Sequence, residues 1–365
     1  MKIAQYLAAL ATLTAALSPL AAANQPDYYP ASYASLVTAA RKEGKVIVYA
    51  ATDTAAARPL VKDFEALYPG IKVEYHDMST TELYNRFISE SAAGSLSADV
   101  LWSSAMDLQI KLVNDGYTAA YASPELPRLP AWSYYQNQAY GTTYEPVVFV
   151  YNKRLLSPKE VPQTHADLAR LIKADPARFK GRITTYDIEK SGVGFTYLTQ
   201  DVRVGGAATW DIVRTMGASG LRLQSSTGTM LERISSGENL IGYNMIGSYA
   251  YAKARKDPAI GYVYPKDYTL VMSRLQAIAK TASHPNAARL WVDYLLSRRG
   301  QSLLAQRSDI YSLRSDVTGE LTIAELTRQL GNSLKPIQVG PGLLVYLDQA
   351  KRLQFLKQWR QAIGR

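Results

Sequence analysis

Three features of the 365-residue sequence predict an α/β fold in two units. Short β-branched runs alternate with amphipathic helical segments, which is the pattern of a parallel sheet with helical crossovers. The alternation occurs twice, over residues 45–115 and again over residues 182–264. Two extended apolar stretches, near 145–150 and 268–274, join the units, and neither is rich in Gly or Ser, so they form a stiff two-strand hinge.

In chain order, residues 32–43 have helical spacing and stop at Gly44. Residues 45–50 (Lys-Val-Ile-Val-Tyr-Ala) read as a buried strand. The loop Ala51-Thr52-Asp53-Thr54 leads into a helix over 55–68, closed by Pro69-Gly70, and a strand follows at 71–75. Ser79 or Thr80 caps a helix running to residue 93, with Glu82 as capping-box partner of Ser79. A strand at 99–102 ends at Ser103-Ser104 before a helix over 106–115. Ligands of parallel sheets bind outside the carboxyl ends of the strands. Thr52, Asp53, Thr54, Ser103 and Ser104 therefore form a candidate half-site, although such residues also cap the helices that follow them.

Residues 141–152 read as a long strand leaving the first unit; at this hinge Tyr144 is a candidate ligand-binding residue, and Glu145 binds either ligand or a backbone amide. In the second unit, a strand over 182–186 leads to the turn 187–194 and a helix through 201, and a further helix covers 206–218. Ser225 to Thr229 precede a helix over 230–236, a strand at 239–243 precedes a helix over 247–256, and another strand covers 260–264. Residues 269–280 pass out again as one strand, followed by a helix over 287–305 and a last helix over 347–363. Two glycine-bearing loops enter helices here, Ser191-Gly192-Val193-Gly194-Phe195-Thr196 and Ser226-Thr227-Gly228-Thr229. Glycine lets backbone approach a ligand, and amides at a helix start attract an anion. Equally, these residues are ordinary turn and cap formers. Tyr243, Asn244 and Tyr249 stand at a strand end and complete the second half-site; Asp187 and Glu189 either receive an amine or serve the turn.

Composition narrows the classes. The formal net charge is +10, but the basic residues are scattered and carry no nucleic-acid motif, so no nucleic-acid partner is expected. With no cysteine, disulfides, thiolate metal sites and cysteine nucleophiles are excluded. His76, His165 and His284 stand far apart, and no nucleophile elbow, P-loop or complete dinucleotide fingerprint occurs, so neither an enzyme nor a cofactor is expected. Lys2, an apolar stretch over 3–20 and Ala21-Ala22-Ala23 read as a cleavable signal peptide over residues 1–23.

Taken in order, Gly44 to Tyr49, Ser97 to Trp102, Val147 to Lys153, Gly237 to Tyr249, and His284-Pro285-Asn286-Ala287-Ala288 through Gly300-Gln301 resemble the type II periplasmic-binding-protein superfamily, in its ferric-iron-binding-like branch of ABC-importer solute-binding proteins. The resemblance implies two lobes, 24–144 with 274–365 and 145–273, that close on a ligand. It also implies a periplasmic, monomeric protein that catalyses nothing and hands its ligand to a membrane permease. Iron-binding members of the branch hold ferric ion with consecutive tyrosines. Along the strand at 240–241 that pair falls on Asn244-Met245, and neither His nor Glu stands at Thr52 to Thr54 or Ser103-Ser104. Ferric ion prefers charged oxygen donors, so the expected ligand is a small organic anion (a phosphate ester, phosphonate or carboxylate), with ferric ion as the alternative.

Overall fold

The computed structural model describes residues 26–365, so the expected signal peptide lies outside the described residues. Among the described residues, fourteen strands follow in chain order: β1 (Lys45–Ala50), β2 (Lys72–Asp77), β3 (Val100–Ser103), β4 (Thr118–Ala119), β5 (Tyr134–Tyr135), β6 (Ala139–Gly141), β7 (Glu145–Asn152), β8 (Ile183–Tyr186), β9 (Arg222–Gln224), β10 (Ile241–Ile246), β11 (Ile260–Val263), β12 (Thr269–Met272), β13 (Leu275–Ala279) and β14 (Leu334–Pro336). They form two sheets. The first runs β2-β1-β3-β13-β6-β5 with β4 on β13; the second runs β14-β12-β7-β10-β8-β9 with β11 on β7. β1 pairs in parallel with β2 and β3, and β8 with β9 and β10, as the alternating pattern predicts.

Local chemistry sets the element ends. Helix Tyr33–Glu43 closes on Gly44 at φ 73°, a left-handed cap that favours glycine. The Ser79 hydroxyl accepts from the Glu82 amide at 3.2 Å and starts helix Thr80–Ala92. Two motif residues anchor the first lobe. Fully buried Asp99 accepts from the Ile47 and His284 amides and meets the His284 ring nitrogen at 2.8 Å. Buried Gln301 donates to Thr142 and Leu295 carbonyls and accepts from Ser312 and Leu313, so all its polar capacity is used.

The structure corrects four expectations. The strand expected over 269–280 is two strands that break at Ser273-Arg274, because β12 belongs to the second sheet and β13 to the first. The strand expected from residue 141 divides similarly into β6 and β7. The helix expected over 287–305 is two, Pro285–Leu296 and Arg298–Arg307, interrupted where the Ser297 hydroxyl accepts from the Gly300 amide. Residues 334–336 and 349–362, expected in the first lobe, pack on the second. β14 pairs with β12, and helix Gln349–Ala362 buries Phe355 and Trp359 beside Phe195, Trp210 and Met216. The chain consequently crosses between the sheets three times rather than twice. β14 escaped notice because it is three residues long and ends in Pro336, which only an edge strand tolerates.

Candidate functional site

Strand-end loops of both sheets meet at one cavity of about 230 Å³. From the first sheet come Asp53 after β1, Asp77 to Thr80 at the end of β2, and Ser104 after β3; the second contributes Tyr186, Val193, Ser226 to Gly228 and Tyr249. Helix Thr80–Ala92 opens on the cavity from one side and helix Thr227–Ser235 from the other. The first amides of a helix have no carbonyl one turn back to bond. The Ser79 and Ser226 hydroxyls satisfy one amide each, Glu82 and Thr229, which leaves those of Thr80, Thr81, Thr227 and Gly228 without an intrahelical partner. Both helix starts also bear the positive end of a dipole. The lining carries two carboxylates, Asp53 and Asp77, and no Lys or Arg.

Behind the cavity wall lies Arg274, at the break between β12 and β13. Its guanidinium is fully buried and holds equally buried Glu145 through two bonds, Nε to Oε1 at 2.8 Å and Nη2 to Oε2 at 3.1 Å. Nη1 donates to the Ala51 carbonyl and to Thr52 Oγ1 at 2.9 Å. The guanidinium carbon sits 5.1 Å from the centre of the Tyr249 ring. The Tyr249 hydroxyl in turn donates to Asp53 Oδ1 at 3.1 Å and accepts from the Asp53 amide at 3.2 Å. Desolvation, opposed by Arg274, pushes the Tyr249 phenol up to about 12, so the ring enters the site as a neutral donor.

Of the residues expected at the site, Asp53, Ser104, Thr227 and Tyr249 line the cavity together. Thr52 sits just behind it on Arg274, and Thr54 donates from its amide and hydroxyl to Asp77. Ser103 accepts from the Ala105 amide. Ser191 caps helix Gly192–Gly205, and Gly192 faces Ala105, Leu108 and Thr80 across the seam between the lobes. The rest lie elsewhere. Gly194 packs against Tyr186, and a Cβ on it would lie 2.3 Å from that of the tyrosine. Thr196 donates to Asp107, and Tyr144 packs against Trp132 in the first core. Tyr243 and Asn244 both donate to fully buried Asp201, joined there by Tyr268. Asn244 adopts φ 56° where the pairing of β10 with β7 slips, which turns its amide into the lobe instead of toward the cavity.

Asp77, Ser79, Tyr186, Ser226, Glu145 and Arg274 complete the site or its support, and the sequence flags them unequally. Asp77 and Tyr186 end strands that pair in parallel and carry the same positional signal as Asp53, whereas Ser79 and Ser226 carry the signal of helix caps. No sequence pattern marks Arg274, because its role depends on where two strands part. Among the described residues, no group of three or more His, Cys, Asp or Glu is assembled that could hold a metal ion.

A family model described as bacterial extracellular solute-binding protein matches residues 59–321. The chain belongs to that family. The substrate-binding protein of an ABC transporter from Agrobacterium tumefaciens is 39% identical, covering 87% of this chain and 94% of that one, with a TM-score of 0.83. An uncharacterized protein of Haemophilus influenzae is 24% identical over 290 residues, covering 77% of this chain and 81% of its own. AfuA of Actinobacillus pleuropneumoniae, solved with exogenous fructose-6-phosphate bound, shares the fold at 20% identity and TM-score 0.73, covering 88% of this chain and 99% of that one. Iron-bound HitA of Pseudomonas aeruginosa shares it at 20% and 0.70, covering 87% and 99%. The protein described here is accordingly a bacterial extracellular solute-binding protein, and it shares its two-lobed fold with these solved structures.

Proposed function

We propose that this solute-binding protein captures a small organic anion in the periplasm, as a monomer, and delivers it to its permease without chemical change. The observation that carries the reading is the pair of helix starts, one from each lobe, that face a single cavity. An oxyanion seated there accepts amide hydrogen bonds from Thr80 and Thr81 on one side and Thr227 and Gly228 on the other. A phosphate, phosphonate or carboxylate bridging the two rewards closure, because each lobe alone supplies half of its donors. Asp53 and Asp77 can only accept, unless protonated, so the remainder of the ligand carries hydroxyl or ammonium donors. Fructose-6-phosphate, bound by AfuA on the same fold, has that combination of a phosphate and hydroxyls. Residues 1–23 act as the signal that takes the chain to the periplasm and is then removed.

Ferric ion fits the donor set less well. The Tyr186 hydroxyl is bonded to Thr227, Tyr249 to Asp53, and Asp77 to Thr54, so the hard oxygen donors already have protein partners. A thermal-shift screen against hexose phosphates, aminoalkyl phosphonates, di- and tricarboxylates, inorganic phosphate, and ferric ion with carbonate tests the choice. A ligand at 100 times its dissociation constant stabilises the fold by about 2.7 kcal/mol. A shift with an organic anion that is lost in Gly228→Pro, which lacks the amide, supports the reading. A shift with ferric ion alone replaces it.

A further inference from the structure

Closure in a two-lobed binder is usually credited to the ligand, but here one protein side chain already spans the lobes. Arg274 sits at the second crossing, and its backbone amide donates to Thr143 Oγ1 beside the first crossing, at 2.8 Å. Its guanidinium is tied to the second lobe through both oxygens of Glu145 and lies over Tyr249. The remaining nitrogen reaches Ala51 and Thr52 on the first lobe, at the start of the loop that presents Asp53 to the cavity. We propose that Arg274 is a closure latch: a positioning residue that holds Thr52 and Tyr249 together and keeps the closed form populated with no ligand in the cavity.

The argument rests on geometry. A rotation that parts the lobes about the crossings carries Glu145 and Tyr249 away from the loop at residues 51–53, and Arg274 cannot follow both. Its main chain stays with Thr143 at the crossings, while its side chain is shared between charged Glu145 and the neutral acceptors Ala51 and Thr52; the bidentate ion pair is the stronger hold, so the bonds that break are those to Ala51 and Thr52. Opening then leaves Nη1 of a buried cation without its first-lobe acceptors, a cost that falls on the open state whatever the ligand is. This inference is independent of the ligand's identity and survives if the anion reading fails.

The test needs no ligand. The chain contains no cysteine, so Arg58→Cys and Lys256→Cys, exposed positions on opposite lobes, accept a single pair of nitroxide labels. Pulsed electron double resonance on the ligand-free labelled protein gives the closed and open populations directly. The expected result is a short-distance population that falls about fivefold relative to the open form in Thr52→Val, which removes one acceptor and keeps the Arg274–Glu145 pair. In the paired replacement Arg274→Met with Glu145→Met, which leaves no lone buried charge, it falls further. Circular dichroism and thermal melting confirm that each variant is folded; if the double variant is not, Thr52→Val decides alone. A wild-type distribution holding only the long distance overturns the latch. So does a folded Thr52→Val variant with the wild-type ratio.

Discussion

Asp107 shows how a single residue can tie the lobes together and make their stability depend on pH. It stands on first-lobe helix Met106–Asn114, is fully buried, and accepts from the Thr196 hydroxyl of the second lobe at 2.7 Å. Desolvation, offset in part by the bonds from Thr196 and Leu108, pushes its carboxyl up to about 6 from an ordinary 3.8. The folded protein therefore holds this proton more tightly than the unfolded chain does. Asp107's share of stability is fully present at low pH, is lost as pH rises from about 4 to about 6, and stays lost above that, by up to roughly 3 kcal/mol. Asp107→Asn cannot ionise, so its stability relative to wild type should climb over the same interval and level off above it. Denaturant titrations of both proteins at pH 4, 5, 6 and 8 measure this; a constant difference would mean that Asp107 is solvated. At this scale the sequence was only partly legible. Asp53, Ser104, Thr227 and Tyr249 follow from strand-end position and side-chain type. Tyr243 and Asn244 satisfy the same criterion but serve Asp201, because a slip in the β10 register cannot be read from side-chain types.

Among the elements, those with strong periodicity and a cap were legible to within a residue or two. β1, Gly44 and helix Tyr33–Glu43 are examples, since β-branched runs and a left-handed cap are local signals. Segments whose partner is distant were not. β14 owes its strand conformation to β12, and helix Gln349–Ala362 takes its position from apolar residues some 150 positions earlier in the chain. That helix should be integral to the second core. Trp359 is buried in the group that includes Leu198, Met216 and Tyr243. Trp359→Ala should cost about 3–5 kcal/mol in urea denaturation, as expected of a large buried aromatic. A loss below about 1 kcal/mol would detach the helix from this lobe.

For the molecule as a whole, the lobes meet closely enough that one added methyl should be felt. A Cβ on Gly192 would lie 3.0 Å from both Ala105 Cβ and Leu108 Cδ1 and 3.2 Å from Thr80 Oγ1, all on the opposite lobe. Within its own lobe the glycine begins a helix, where alanine is acceptable. Gly192→Ala should therefore leave thermal stability almost unchanged and shift the labelled protein toward its open distance. A melting temperature lowered with no change in distance would mean that the crowding arises inside the second lobe. The two-lobed plan itself was legible, because two separate runs of alternating strands and helices cannot share one sheet without the long crossings that join them.

The three crossings also bear on the order in which the chain is made. The first sheet needs β13, near residue 277, to join β3 to β6, and the second core needs Phe355 and Trp359. Synthesis proceeds from the amino terminus, so the first sheet cannot close before β13 is made, and the second core must wait about 80 residues longer for Phe355 and Trp359. An interior that cannot be completed early leaves the growing chain threadable, a useful property in a protein whose family works outside the cell.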